Sequence, residues 1–169
     1  MDATPLSNGA RVVIIGGGPG GTGCALALQN KAAQMGRRIQ ITILEGKRFS
    51  GEHHYNQCAG VLSPPLPELL KTRLNVPFPT HLGYIEIPGY VLHTGKETIT
   101  LDGDEHPSTA LRRIQFDEYM LRTAQERGIA IQTARAVDLE FHPDRVVIYA
   151  ENATLEADVV VGAFGLDEG

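Results

Sequence analysis

The sequence predicts an α/β protein built on a parallel sheet, and three observations lead to this prediction. An uninterrupted aliphatic run, 12–15, leads directly into six glycines within eight positions and then into a helical pattern. A second run, 39–45, alternates isoleucine with polar residues, as a half-buried strand does. In the C-terminal third, a β-meander replaces the expected crossover helix. We therefore expect an N-terminal strand–helix–strand unit in a parallel sheet.

Each element of this N-terminal unit has its own signal. The aliphatic run is typical of a strand buried on both faces of a sheet. The first helix is expected from about Gly20 to Gln34, with Gly36 as its C-terminal glycine. The second strand runs into Leu44 and Glu45. Together these elements form a Rossmann-like βαβ unit.

The glycine spacing favours a dinucleotide-binding site. In Gly16-x-Gly18-x-x-Gly21 the first glycine permits the tight turn, the second removes a side chain that would hold a pyrophosphate off the backbone, and the third lets the helix approach the strand. The N–H groups at the helix start then face the phosphates. An ordinary glycine-rich turn is the alternative, which the flanking strand and helix disfavour. The expected cofactor contacts are Gly16, Gly18, Pro19, Gly20 and Gly21.

An acidic residue ends the second strand. Glu45 is placed to accept hydrogen bonds from both hydroxyls of an adenosine ribose, and it would repel a ribose 2′-phosphate. A solvated carboxylate at a strand end is the alternative. Lys47 and Arg48 either touch a phosphate or are exposed. We expect Glu45, Gly46 and Lys47 to bind the cofactor.

The middle of the chain is predicted to leave the sheet. No strand pattern appears over 46–82, where one short helix is expected near Pro67. Three short strands over 83–101, separated by Pro-Gly and Gly-Lys turns, predict a small antiparallel meander. No metal site is predicted from His53, His54 and Cys58, because adjacent histidines diverge and no fourth ligand is suitably spaced.

The C-terminal third is predicted to return to the sheet. A helix is expected to run to Arg127 with acidic residues in its first turn, and a third parallel strand to follow over 129–133. A hairpin over 137–150 and a returning strand over 155–161 complete the meander. This arrangement is less typical of nicotinamide dehydrogenases than of flavin-binding proteins.

Composition narrows the function classes. The chain has 169 residues, 42% hydrophobic and 21% charged, which predicts one soluble domain over 1–169. A net charge of −5 and the lack of a basic run do not indicate a nucleic-acid-binding surface. No apolar stretch is long enough for an integral membrane segment, and a cytoplasmic protein is expected. Two cysteines make no disulfide framework.

With these motifs, the chain resembles the N-terminal half of FAD-dependent oxidoreductases of the glutathione-reductase-2 type. This superfamily contains para-hydroxybenzoate hydroxylase-like monooxygenases, geranylgeranyl reductases and flavin halogenases. Arg113-x-x-Phe116-Asp117-x-x-Met120 is similar to a family stretch whose arginine approaches the flavin, and 159–165 to a segment that returns beside the cofactor. The resemblance implies FAD as the cofactor and adds Arg113, Val137 and Gly162 to its expected contacts.

Within the superfamily, the segment 57–63 resembles the cysteine-glycine segment of geranylgeranyl reductases, which reduce isolated double bonds of isoprenoid chains. Gly60 retains the family's second glycine, whereas Ala59 replaces the first. Cys58 has either a chemical role or none. The family usually has aspartate where this chain has Phe164.

The expected function is FAD binding within a flavin-dependent oxidoreductase, a reductase or monooxygenase with a nicotinamide or similar electron donor. The family's later Gly-Asp segment and the sheet that covers the isoalloxazine ring have no counterpart here, so we expect a fragment or one part of a split protein, completed by a C-terminal half or a partner chain. One alternative is an NAD-binding dehydrogenase domain. Another is a non-catalytic adenine-dinucleotide module that docks on a partner through 64–79. The sequence assigns no catalytic residue.

Overall fold

A computed structural model of the chain describes residues 6–47, 58–102 and 107–165. These residues fall into two compact units, which divide after residues 52 and 116. The strands are β1 Arg11–Ile15, β2 Gln40–Leu44, β3 Val61–Leu62, β4 Ile85–Ile87, β5 Gly89–His93, β6 Thr98–Asp102, β7 Ser108–Ala110, β8 Ala130–Gln132, β9 Ala136–Phe141, β10 Val146–Ala150, β11 Ala153–Ala157 and β12 Val159–Gly162. The helices are α1 Pro19–Gln34, α2 Leu66–Leu74 and α3 Arg113–Glu126, with a short 3-10 helix at Thr80–Leu82. No described helix combines the length and apolarity that crossing a membrane requires.

The first unit contains the predicted parallel sheet. Its strand order is β12-β1-β2-β8, with Ile14 of β1 opposite Ile43 of β2 and Val161 of β12. The chain therefore moves from β1 to one side through β2 and β8, and returns to the other side with β12. Ligands of open parallel sheets bind beyond the carboxyl ends of the strands at such a reversal.

Burial explains why these segments form the sheet. Val12 and Ile14 are at most 1% exposed, as expected for an aliphatic strand covered on both faces. Helix α1 packs on β1 and β2 and buries Ala25 and Leu26 completely. It ends at Gln34 as predicted, and the C-terminal glycine, Gly36, has a φ of +64°.

Helix α3 differs from its prediction at one end. It begins at Arg113, so Asp117 lies in the second turn, where it is 3% exposed, and the prediction of acidic residues in the first turn is wrong. One face of the helix is apolar and buried, with Phe116, Met120 and Ala124 at most 2% exposed. The strand after the helix, β8, is parallel as predicted, and it pairs with β2.

The predicted β-meander connects β8 to β12. Strands β9, β10 and β11 form an antiparallel sheet, and its Ile148 and Ala157 share a core with Val13 and Leu44 of the parallel sheet. The single returning strand predicted over 155–161 is two strands, because the chain changes sheets at Asp158.

The second unit consists of two small antiparallel sheets and α2, which begins near Pro67 as predicted. The predicted pairing of the β5–β6 hairpin is confirmed. The predicted continuous meander is wrong, because β4 pairs with β7 in a sheet that also contains the unpredicted strand β3. A single residue, Pro88, separates β4 from β5, and one residue is too short to form a hairpin turn.

Candidate functional site

The carboxyl ends of three parallel strands meet at the glycine loop, residues 16–21. The N–H of Gly16 donates to the carbonyl of Leu44 at the end of β2 (2.8 Å). On the other side, the N–H of Ala163, directly after β12, donates to the carbonyl of Ile15 (2.8 Å). The loop therefore lies at the reversal point of the sheet, where the strand order predicts a ligand crevice.

Two glycines of the loop are required by its own backbone. Gly16 has a φ of +108°, and a Cβ there would collide with the carbonyl of Ala163. A Cβ at Gly21 would collide with the carbonyl of Gly16, where α1 passes closest to the turn. These contacts correspond to the roles predicted for the first and third glycines.

Two other glycines leave space open at the start of α1. Apart from its chain neighbours and the backbone of α1, a Cβ at Gly18 or Gly20 would meet no atom of the described residues within 4 Å. Gly18 is the N-cap residue and provides no side-chain cap, and Pro19 in the first turn lacks an N–H. The first turn of an uncapped helix has unsatisfied N–H donors and a partial positive charge. Open space beside such donors fits a phosphate.

The carboxylate of Glu45 is held beside the loop. Its Oε2 accepts a hydrogen bond from the N–H of Gly17 (2.6 Å), and its Oε1 accepts one from the N–H of Lys47 (2.6 Å). The residue is 9% exposed. Each carboxylate oxygen can accept a second hydrogen bond, so the group keeps acceptors for ribose hydroxyls.

Gly17 is a site residue that the sequence prediction missed. A Cβ on it would approach the Cβ of Glu45 to 2.9 Å, so a side chain here would push the carboxylate away. The signal in the sequence was the run of three glycines, 16–18, where the motif spacing requires two.

Arg135, in the connection between β8 and β9, is a second residue that the prediction missed. A Cβ on Gly46 would collide with the Cγ of Arg135, and the Cδ and Nε of Arg135 are 3.4 Å from the same point. The arginine stem therefore lies across Gly46, one residue beyond Glu45. An exposed arginine in a connection has no pattern that distinguishes it, so the sequence contained no signal.

Two further predicted contacts lie in the first unit. Gly162 ends β12, and a Cβ there would be 2.9 Å from the ring of Phe164, which is 61% exposed. Val137, in β9, is 70% exposed and follows Arg135 by two residues. Their contact with a cofactor stays a prediction.

Arg113 lies in the second unit, where it lines an open cavity of about 820 Å³ together with Cys58 and Tyr84. Its approach to a flavin stays a prediction. Cys58 is exposed, and its Sγ accepts a hydrogen bond from the N–H of Gly60 (3.5 Å). Cys24 on α1 is a different kind of thiol, because burial raises its pKa above 9.0.

Several predictions fall on residues that the structure does not describe, among them Arg48, His53, His54 and Gln57. Within 6–47, 58–102 and 107–165, no group of three or more histidine, cysteine or acidic side chains is placed to hold a metal ion.

No protein-family model matches the chain. It is 25% identical over 168 residues to the tryptophan 2-halogenase of Chondromyces crocatus, covering 96% of this chain and 30% of the halogenase. Similar solved structures include a flavoprotein/dehydrogenase from Cytophaga hutchinsonii (TM-score 0.70, 22% identity, 92% of this chain and 39% of that one). The flavin-dependent halogenase CmlS has a TM-score of 0.66 at 24% identity, over 92% of this chain and 29% of CmlS. The halogenase PltM, in complex with phloroglucinol and FAD, has a TM-score of 0.68 at 20% identity, over 91% of this chain and 34% of PltM.

These likenesses confirm the predicted fold class, a Rossmann-like α/β fold of the kind found in flavoproteins. The chain spans about a third of the length of the proteins it matches.

Proposed function

We propose that the chain is the FAD-binding part of a flavin-dependent oxidoreductase, in which the glycine loop holds the pyrophosphate and Glu45 holds the adenosine ribose. The observation that carries this proposal is the pairing of an open, uncapped helix start with a carboxylate 2.6 Å from a loop N–H. Phosphates need the first feature and ribose hydroxyls need the second. The flavin-dependent enzymes among the structural neighbours, one of them in complex with FAD, support the choice of dinucleotide.

Each residue has a defined part in this proposal. The backbone at Gly18, Pro19 and Gly20 surrounds the phosphates, while Gly16 and Gly21 shape the turn. Bound FAD would supply a ring that accepts and releases electrons and hydride, and the polypeptide binds and orients it. Gly46 and Lys47 are proposed as cofactor contacts from their place after Glu45, and the resemblance adds Arg113, Val137 and Gly162.

The type of flavoenzyme is a finer proposal. The match to a tryptophan 2-halogenase over 96% of the chain favours a halogenase-like monooxygenase. The short cysteine-glycine segment favours a geranylgeranyl reductase-like enzyme, and Gly60 is required there because a Cβ would collide with the carbonyl of Leu111. Either type of enzyme would use a nicotinamide or similar electron donor. In either type, a further segment or a partner chain would complete the binding site for the flavin ring.

The NAD-binding dehydrogenase is the competing proposal. It requires parallel βαβ units to continue along the sheet, whereas a three-stranded antiparallel meander joins β8 to β12. That connection favours a flavoprotein over a nicotinamide dehydrogenase.

The direct test is titration of the purified chain with FAD, ADP, FMN and NAD. Isothermal titration calorimetry measures the binding of each of the four ligands directly, so NAD binding is detected whether or not FAD binds. We expect FAD and ADP to bind, and FMN, which lacks the adenosine, to bind at least tenfold more weakly. Tight NAD binding without affinity for FAD would overturn the proposal in favour of a dehydrogenase.

Two variants test the site and two matched variants control for folding. Gly18→Val and Glu45→Ala are each expected to weaken FAD binding at least tenfold, because the first fills the phosphate space and the second removes the ribose acceptor. The controls are Gly95→Val, whose added side chain also meets open space, and Glu68→Ala in α2. An equal loss of FAD affinity in a site variant and in its control would contradict the assigned site.

A further inference from the structure

In the proposed site, the phosphates, the ribose and the base of the dinucleotide bind to successive parts of the protein. The phosphates lie at the start of α1 and the ribose at Glu45, so the base continues beyond Glu45. The backbone next in line is Gly46 and Lys47, both exposed. This end of the site is the place where an adenine ring would need a covering group.

Arg135 is the side chain that lies across this backbone. Its Cγ occupies the position that a Cβ of Gly46 would take, and its Cδ and Nε are 3.4 Å from that point. Glycine at 46 therefore makes room for the arginine stem. The main chain of Arg135 is also held in place, since its N–H donates to Oε2 of Glu151 (3.2 Å) and its carbonyl accepts from the N–H of Glu151 (3.0 Å).

The guanidinium of Arg135 has no recorded hydrogen bond or ion pair with any described residue. Arg11, at the start of β1, shows the contrast: its guanidinium contacts the carboxylates of Glu156 (3.2 Å) and Asp158 (3.4 Å). A planar cation that has no partner among the described residues, beside the expected base, is suited to stack on an aromatic ring.

We infer that Arg135 is a cofactor-binding residue whose guanidinium stacks on the adenine of the bound dinucleotide. The inference rests on the proposed function and extends it to the base. It also explains why position 46 is glycine, which neither the phosphates nor the ribose require. The selectivity that follows is for ligands that carry adenine.

The test compares Arg135→Met, Arg135→Lys and Arg38→Met in titrations with FAD and ADP at low and high salt. Arg135→Met keeps an unbranched stem over Gly46 and removes the guanidinium. Arg38, exposed two residues before β2, is a control at the end of the strand that lies opposite Gly46. We expect Arg135→Met to weaken FAD and ADP binding by the same factor, about tenfold, at both salt concentrations. Arg38→Met is expected to bind like the wild type.

Arg135→Lys separates stacking from charge. Lysine keeps the positive charge and loses the planar group, so it is expected to recover at most part of the lost affinity. Full recovery by lysine, or a loss that disappears at high salt, would overturn the stacking role and indicate a phosphate contact. Unchanged binding by Arg135→Met would overturn the inference while leaving the proposed function intact, whereas failure of the wild type to bind FAD or ADP would overturn the proposed function itself.

Discussion

The parallel sheet of the first unit and the strands of the second unit differ in how far their apolar residues are buried. In the first unit the sheet residues Val12, Ile14 and Ile43 are at most 1% exposed. In the second unit Ile85 is 73% exposed and Leu92 is 51% exposed. Both sets occupy strands, so strand formation alone does not decide burial.

The difference follows from what covers each sheet. The first unit places α1 against the parallel sheet and shares a core with the antiparallel meander. In the second unit, cross-strand pairs place four residues on one face of the β5–β6 hairpin, each between 44% and 51% exposed: Tyr90, Leu92, Ile99 and Leu101. A two-stranded hairpin without cover is marginal in water. Stability is therefore expected to come mainly from the first unit, which also carries the glycine loop.

The largest difference in unfolding free energy is expected between alanine substitutions of one isoleucine in each unit. Ile14→Ala removes a fully buried side chain from β1 and is expected to cost about 2–5 kcal/mol of unfolding free energy. Ile85→Ala removes an exposed side chain and should change it by less than about 0.5 kcal/mol. Urea unfolding followed by circular dichroism measures both, and equal losses would break the comparison.

A smaller effect, confined to the first unit, separates folding from ligand binding. Gly21→Ala drives a Cβ into the carbonyl of Gly16 and is expected to cost about 1–3 kcal/mol of unfolding free energy. Gly18→Ala is the matched control, because the φ of −66° at Gly18 suits alanine and, its chain neighbours apart, the added Cβ would meet no atom of the described residues within 4 Å. We expect Gly18→Ala to unfold like the wild type and to bind FAD more weakly. A stable Gly21→Ala variant would contradict the close approach of α1 to the loop.

In the second unit, Leu92→Thr should change the unfolding free energy by less than about 0.5 kcal/mol, because the side chain is exposed and threonine suits a strand. Ile43→Thr makes a comparable exchange at a fully buried position of the first unit and is expected to cost more than about 2 kcal/mol. Thermal unfolding measures both. A large loss at Leu92 would show that the hairpin face is covered in solution.

The smallest effect is expected at the exposed edge of the first unit. The N–H of Arg11 donates to the carboxylate of Asp158 (2.7 Å), which holds the pKa of that carboxyl below its usual 3.8. A lowered folded-state pKa stabilises the protein above the unfolded pKa, and this contribution is lost as the pH falls through the folded pKa. Asp158→Asn should therefore slightly lower the melting temperature at neutral pH and leave it unchanged in strong acid. An equal shift at both pH values would contradict a role for the ionised carboxylate.

Most of the first unit could be predicted, and much of the second could not. Strand β1, helix α1 and the meander follow local patterns of apolar residues, glycines and turns, and the structure contains all of them. Strand β3 has two residues, too few to show a pattern. The pairing of β4 with β7 joins segments about twenty residues apart, and no local signal specified that partner.

The amino-acid order by itself determined the bend at 16–21, the flanking strand and helix, and the acidic residue at 45, because each depends on neighbours along the chain. Tertiary structure alone decided that Gly17 holds the carboxylate of Glu45 and that Arg135 crosses Gly46. These contacts join residues 28 and 89 positions apart, differences of 45 − 17 and 135 − 46. Only the pairing of β2 with β1 and β8 brings such distant residues together.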